Sequence, residues 1–251
     1  MSGFTANGLL TLTSDFGTAD GWVGAMKGVC LSIDRGLVLV DVAHDVPPQD
    51  VVRGAAALAV AAPEHPAGTT HLAVVDPGVG TERAAIVIVR GGHAFVGPDN
   101  GLFDDALARL DGPVDAWVIE AHAWLPARRS STFHGRDVFA PTAAAIASGR
   151  LAPAAVGRPL PWLPAAAPPD GVVVRFADRF GNLVTSLREA PRALVLPDGT
   201  RVRVVGTYGE AGHGELVALL GSDGFVELAV RDGSALARTG LARGARLTVE
   251  P

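Results

Sequence analysis

The sequence predicts an α/β amino-terminal domain with a mostly parallel central sheet, followed by a smaller all-β, barrel-like carboxy-terminal domain. Three observations carry this. From residue 8 to 149, short apolar runs alternate with helix-like segments over short connections, the rhythm of βαβ units. From 151 to 169 the composition turns rich in Pro and Ala. Beyond it, short apolar runs are separated by turn signals, as in a small antiparallel domain. The expected organisation is an α/β domain over 1–160, a linker over 161–170 and a β domain over 171–251.

Gly8 to Thr13 (GLLTLT) reads as a strand ending in the polar turn Ser14-Asp15-Phe16-Gly17. Asp20 is the expected N-cap of a helix with Trp22, Val23, Met26, Val29, Cys30 and Ile33 on one side. Leu37 to Val42 (LVLVDV) has the continuous apolar character of a strand buried on both faces. Val51 to Ala62 is Ala-rich and helical, and Pro63 stops it. His71 to Val75 is the next strand, closed by Asp76-Pro77-Gly78. Ala85 to Val89 and His93 to Val96 flank Gly91-Gly92, a hairpin signal. Gly101 to Leu110 is an expected helix, Val114 to Ile119 a strand, and Asp137 to Ser148 a helix closed by Gly149. The stretch 151–169 reads as a semi-extended linker rather than a packed element. Expected strands then cover Val172 to Phe176, Ala193 to Leu196, Arg201 to Gly206, Glu215 to Leu220, Phe225 to Val230 and Arg246 to Glu250. Asp198-Gly199 and Asp223-Gly224 supply turns.

Composition narrows the function classes. With 251 residues, 48% of them hydrophobic, the chain can bury a sizeable core and is not a disordered chain. No apolar run reaches the ~18 residues a membrane helix needs, and Met1 to Leu10 lacks the pattern of a signal peptide. The net charge of -5, the absence of a basic cluster beyond Arg128-Arg129 and the low aromatic content argue against nucleic acid as a partner. The single cysteine, Cys30, rules out an internal disulfide framework and reads as a buried structural thiol. A cytoplasmic location is expected.

Acidic turns follow three apolar strands, at Asp15, Asp76 and Asp99, where ligands of open α/β sheets bind. Asp15 could accept from the paired hydroxyls of a ribose, or serve as an ordinary turn residue. In Asp76-Pro77-Gly78-Val79-Gly80-Thr81-Glu82-Arg83, the carboxylate and the guanidinium can meet across an open loop. Such a pair keeps the carboxylate ionised in a cleft, or simply ties the loop. Asp99 and Asn100 read equally as a helix cap or as the wall of a ligand site. His134, beside Gly135 at a helix start, can act as a general base or orient water. His44, His65, His71, His93, His122 and His213 lack that setting. Asp15, Asp76, Asp99 and His134 could together hold a divalent metal, but they lack the short ligand spacing of such sites, and no metal is expected. Beyond the linker, Phe180 and Asn182 in Asp178-Arg179-Phe180-Gly181-Asn182 could stack on a purine and read its edge, or form a plain β-turn. Ser222-Asp223-Gly224-Phe225 and Gly233-Ser234-Ala235 read as turns.

Taken in order, TSDFG, VDPGVG…R, GPDNG, TFHGRDVFAP, DRFGN and ELAVRDGSA resemble the S-adenosylmethionine (SAM) hydroxide adenosyltransferase family, also known as SAM hydrolases and related to fluorinase and chlorinase. The resemblance runs over nearly the whole chain. It implies an enzyme that hydrolyses SAM to adenosine and methionine without a cofactor. It also implies a homotrimer, with the α/β domain of one subunit and the β domain of its neighbour enclosing the substrate. The family's catalytic Asp, Arg and His fall on Asp76, Arg83 and His134. Its ribose-binding Asp falls on Asp15 and its adenine-binding Asn on Asn182. Phe133 and Phe180 join the implied substrate contacts, with Asp178 and Ser222 toward the methionine end. Where halogenating relatives carry a Tyr and a Thr in the first loop, this chain has Asp76 and Val79; where they carry a Ser, it has Gly135. Those departures favour water over halide. A chlorinase-like halogenase, a non-catalytic binder of adenosine or SAM, and a metal-dependent hydrolase of another nucleotide are the alternatives.

Overall fold

The computed structural model describes residues 3–120, 125, 130–162, 164 and 171–250. His122, the Arg128-Arg129 pair and most of 163–170 lie outside the described residues. The chain forms two compact units, dividing between Ala165 and Ala166.

In the first unit, apolar runs form β1 (Leu9–Ser14), β2 (Val38–Ala43) and β3 (Thr70–Val74), separated by α1 (Trp22–Ile33) and α2 (Val51–Ala61). The β4–β5 hairpin follows (Ala85–Arg90, His93–Pro98), then α3 (Asp104–Leu107), β6 (Asp115–Val118) and α4 (Ala140–Ala147). The sheet order is β2-β1-β3-β5-β4-β6. The first four strands run parallel, while β4 and β6 pair antiparallel. Side chains alternate across the sheet. Val87 and Val89 join Met26, Cys30 and Phe139 on one face, under α1 and α4. Ile86 and Ile88 join Leu58, Phe103 and Leu107 on the other, under α2 and α3. Helices therefore cover both faces, as the βαβ rhythm predicts. Cys30 is fully buried, and burial pushes its thiol up to about 12.

Several elements differ from expectation for identifiable reasons. Helix α1 is capped by Gly21, at φ 72, with no side-chain cap, so Asp20 is not the N-cap. β2 is an edge strand rather than one buried on both faces, and Val38 is 54% exposed. The helix expected over 101–110 shrinks to α3 because Gly101 sits at φ 87 and Asn100 Oδ1 accepts from Leu102 N–H. The helix expected from Asp137 starts as a π-helical turn, Gly135–Phe139, and becomes α-helical at Ala140. Pro141 has no N–H to give Asp137, which favours the wider turn. The stretch 151–162 is packed, not a free linker. Its backbone runs beside β6, with Val118 donating to Arg158 O, Glu120 to Val156 O and Leu160 to Ala116 O. An edge strand tolerates prolines, and Gly157 is required because a Cβ there would lie 2.2 Å from Val118 O.

A chain of buried histidines lies inside this unit. Thr11 Oγ1 contacts His71 Nδ1 at 2.8 Å, and His71 Nε2 contacts His93 Nδ1 at 3.1 Å. Burial, then the neighbouring histidines, holds His71 well below the ordinary histidine value and lowers His93. The folded state therefore keeps them neutral in a range where the unfolded chain takes up protons. Stability is full above pH ~6.5 and falls as pH drops below it. His71 alone contributes a slope of up to about 1.4 kcal/mol per pH unit. Calorimetric scans at pH 7.5 and 5.5 should show a lower melting temperature at the acid pH; an unchanged one contradicts this account.

The second unit is antiparallel, with strands β7 (Val172–Ala177), β8 (Leu183–Thr185), β9 (Ala193–Val195), β10 (Arg201–Arg203), β11 (Leu216–Leu220), β12 (Val226–Val230) and β13 (Arg246–Glu250). Their order is β10-β9-β13-β7-β8-β12-β11. A bridge between Val204 and Ala218 brings the two ends together, so the sheet nearly closes on a core of Val174, Leu183, Leu194, Val226 and Leu228. The expectations lacked β8 and the short helix α5 (Ala235–Thr239). The latter carries a legible signal, since Ser234 caps it by accepting from Ala237 N–H and Gly240 ends it at φ 63.

Candidate active site

Strand order places the site. The chain passes from β1 to β2 on one side and then to β3 on the other, so β1 and β3 are parallel neighbours whose connections leave in opposite directions. This is a topological switch point, where a crevice opens at the carboxyl ends. Ser14 pairs with Val74. Asp15 therefore follows β1, and Asp76 follows β3, at adjacent strand ends.

Asp76 opens a tight loop in which Val79 N–H donates to Asp76 O and Thr81 N–H to Gly78 O. Gly80, at φ 79, lets the loop approach the segment before His134; a Cβ there would lie 2.8 Å from Ser131 O. The loop turns Arg83 back onto Asp76. Arg83 Nε donates to Oδ1 at 3.0 Å and Oδ2 at 3.1 Å, and Nη2 also donates to Oδ2. The pair is largely buried, with the Asp76 side chain 5% and the Arg83 side chain 11% exposed. Arg83 also lies over the Phe139 ring, 5.1 Å from its centroid. Its Nη2 donates to His134 Nδ1 at 2.9 Å. A guanidinium can only donate, so Nδ1 carries the lone pair and neutral His134 bears its proton on Nε2. The three residues form one contiguous group.

His134 is held by the packing around it. Phe133 is buried, edge-on to Phe16 at 5.7 Å and to Trp22 at 5.1 Å, with Arg136 over its ring. That position makes Phe133 a support for the chain entering His134. Asp137 accepts from Ser130 N–H at 2.7 Å and from Arg136, whose hydrogen bond holds its carboxyl below the usual range. It clasps the loop instead of capping a helix. Gly135 is crowded, with Met26, Phe133 and Phe16 3.1–3.2 Å from any added Cβ.

Asp15 Oδ2 accepts from Gln49 N–H at 2.7 Å. Behind it runs a relay that sequence inspection missed. Ser14 Oγ meets His44 Nδ1 at 2.7 Å, and His44 Nε2 meets Asp41 at 3.0 Å. His44 O also accepts from Gly17 N–H at 2.8 Å. His44, which lacks the helix-start setting of His134 in the sequence, thus fixes the turn carrying Asp15. Asn100 ties its turn to the end of β3 by donating to Val75 O at 2.9 Å, which supports the structural reading of that turn. Burial raises Asp99. Among the described residues, no group of three or more His, Cys, Asp or Glu is arranged to hold a metal.

In the second unit, Asp178 organises its own turn. Oδ1 accepts from Phe180 and Asn182 N–H, both at 2.8 Å, and Oδ2 from Asn182 Nδ2 at 3.3 Å. Phe180 stands 77% exposed while Asn182 is buried. Both line a pocket of about 510 Å³ with Tyr208, Val230 and Arg231. Two groups escaped notice in the sequence. Glu227 is buried in β12, and the chain's one tyrosine, Tyr208, donates to it. A charged residue inside the apolar run VELAV was the available signal. Ser222 lies in the β11–β12 turn, next to Gly221, whose added Cβ would lie 3.3 Å from Glu227 Oε2.

Comparison with known proteins follows the same division. Residues 10–157 match the SAM hydroxide adenosyltransferase N-terminal domain, and 172–248 the C-terminal domain of that family. An (R)-S-adenosyl-L-methionine hydrolase from Thermus thermophilus is 45% identical, over 92% of this chain and 95% of its own. A conserved hypothetical protein of known crystal structure, also from Thermus thermophilus, superposes with a TM-score of 0.81 at 40% identity, covering 96% of this chain and 99% of its own. A fluorinase from Actinopolyspora mzabensis is 25% identical, over 94% of this chain and 95% of its own.

Proposed function

This chain belongs to the SAM hydroxide adenosyltransferase family, and from that membership we propose that it hydrolyses SAM to adenosine and methionine, with Asp76, Arg83 and His134 directing water to the ribose C5′. The observation that carries the site assignment is the contiguous, largely buried Asp76–Arg83–His134 group at the switch point.

The sulfonium makes methionine a neutral thioether leaving group, so departure needs no acid. The demand falls on water, whose pKa of about 15.7 makes it a poor nucleophile. A base must take its proton as the C–O bond forms and the C–S bond breaks. Neutral His134 bears its proton on Nε2, so it orients water by donating. Asp76 is the acceptor, because Oδ1 receives only one N–H from Arg83 and keeps a lone pair. Arg83 holds the carboxylate ionised and favours developing hydroxide character. Asp15, fixed by Gln49 and the Ser14–His44 relay, receives the ribose hydroxyls. A halide would instead face the Asp76 carboxylate, and like charges ~4 Å apart cost about 4 kcal/mol at an effective dielectric of ~20.

Phe180 and Asn182 take the adenine, with Asp178 and Ser222 toward the methionine end. The reading uses no metal or cofactor and places the enzyme in a trimer, where the α/β domain of one subunit meets the β domain of a neighbour. The exposed Phe180 ring supports a face that is covered by substrate and a second chain. No helix among the described residues is long and apolar enough to cross a membrane; a cytoplasmic location belongs to the same reading. Chromatography of SAM incubated with the protein, excess chelator and halide should show adenosine and methionine in equal amounts. Methylthioadenosine, S-adenosylhomocysteine or a halogenated nucleoside as product refutes the reaction, and an active monomer by light scattering refutes the shared site.

A further inference from the structure

The amide of Asn182 is more constrained than a turn residue needs. Its Nδ2 lies 3.3 Å from Asp178 Oδ2 and 3.3 Å from Glu227 Oε1. Both partners are carboxyl oxygens, so the amide must turn its NH2 toward them, and both of its N–H donors are spent. What remains is the carbonyl oxygen, an acceptor. Asp178 is held by the Phe180 and Asn182 backbone N–H groups. Glu227 Oε1 also accepts from the Tyr208 hydroxyl, and that second bond to the same oxygen holds the carboxyl in place. Glu227 is buried, and its burial together with Asp178 and Asp223 raises its pKa. Tyr208 and Asn182 line the same pocket, beside the exposed Phe180 ring.

We propose that Glu227, held by Tyr208 and acting with Asp178, is a positioning residue that leaves only the Asn182 carbonyl oxygen to face the ligand, and so selects 6-aminopurine substrates over purines without an amino donor. This rests on the hydrolase reading above, in which Asn182 meets the adenine. Adenine offers its N6 amine to an acceptor. A 6-oxopurine places an acceptor at the same point, and the two lone pairs oppose each other. An unsubstituted purine covers that oxygen and leaves it unpaired. An unfixed asparagine could flip its amide and accept either base; Glu227 and Asp178 remove that freedom.

The test uses nucleosides as probes of the whole protein. Calorimetry should show adenosine binding about 10- to 10²-fold tighter than inosine or purine riboside, the range expected when a buried acceptor goes unpaired. Glu227→Leu should bring the three within about threefold of one another, raise KM for SAM and leave kcat nearly unchanged. Glu227→Gln should restore the selectivity, because its amide oxygen can take the place of Oε1. Should Glu227→Leu not fold, Tyr208→Phe carries the same test, with a severalfold loss of selectivity expected. Equal binding of the three nucleosides by the wild-type protein, or full selectivity in folded Glu227→Leu or in Tyr208→Phe, overturns the inference. If adenosine is still released from SAM in that case, the hydrolase reading stands without it. If no nucleoside binds and no adenosine is released, both fall.

Discussion

Asp76→Asn should lower turnover of SAM by about 10²–10⁴-fold while substrate still binds, the range general-base effects usually supply. The substitution keeps the side chain's shape and removes the lone pair assigned to the proton of water. Asp15→Ala should behave otherwise. On the proposed reading it deletes contacts to ribose hydroxyls made in both ground and transition states, so KM should rise with kcat little altered. His134→Gln should fall between them, since a donating amide can replace the imidazole Nε2–H. A larger loss for His134→Gln than for Asp76→Asn would reverse the assignment of the acceptor. The competing structural account also makes a distinct forecast. If Asp76 only anchors Arg83, Asp76→Asn lowers the melting temperature and leaves turnover nearly intact. Adenosine release and binding calorimetry on the three variants separate these accounts.

The second large effect is on stability, at Gly97→Ala. Gly97 lies in β5, beside β3 and under Phe103. A Cβ would lie 2.2 Å from Ala73 O and 2.8 Å from the Phe103 ring. Real Cβ atoms do not approach so closely, and the nearest neighbour is strand backbone in the middle of a sheet, so it cannot rotate away. Overpacking commonly costs ~1–3 kcal/mol when side chains can yield. Here the loss should exceed ~3 kcal/mol, a large share of a typical domain's ~5–15 kcal/mol. Gly28→Ala is the contrast. Gly28 is exposed in α1, and a Cβ added there would meet nothing within 4 Å, so alanine should stabilise by about 0.5–1 kcal/mol. Urea denaturation measures both; a Gly97→Ala midpoint equal to that of the wild type contradicts the steric account.

Much of the fold is legible without coordinates because its determinants are local. The apolar runs at β1, β3, β4 and β5, the Gly91-Gly92 hairpin and the Asp-Gly turns each carry their own backbone preference within a few residues. The ordered motifs likewise point to Asp76, Arg83 and His134 before any geometry is known, and the structure brings these three into contact. Other features depend on what lies far away in sequence. Whether Leu37 to Val42 is a central or an edge strand is set by sheet order, and only pairing partners decide it. The Pro-rich stretch beside β6 packs because a sheet edge is available to it, which its composition does not reveal.

The sequence by itself determined the two-part α/β and β architecture, the family and the membership of the Asp76, Arg83 and His134 group, since each rests on short-range pattern and order. Only the tertiary structure decided which groups hold those residues in place. Ser14, Asp41 and His44 behind Asp15, and Glu227 and Tyr208 behind Asn182, act through hydrogen bonds spanning up to 45 residues. A hydrogen bond requires two groups within about 3 Å, and for residues so far apart along the chain that proximity is created by packing and not by any local preference.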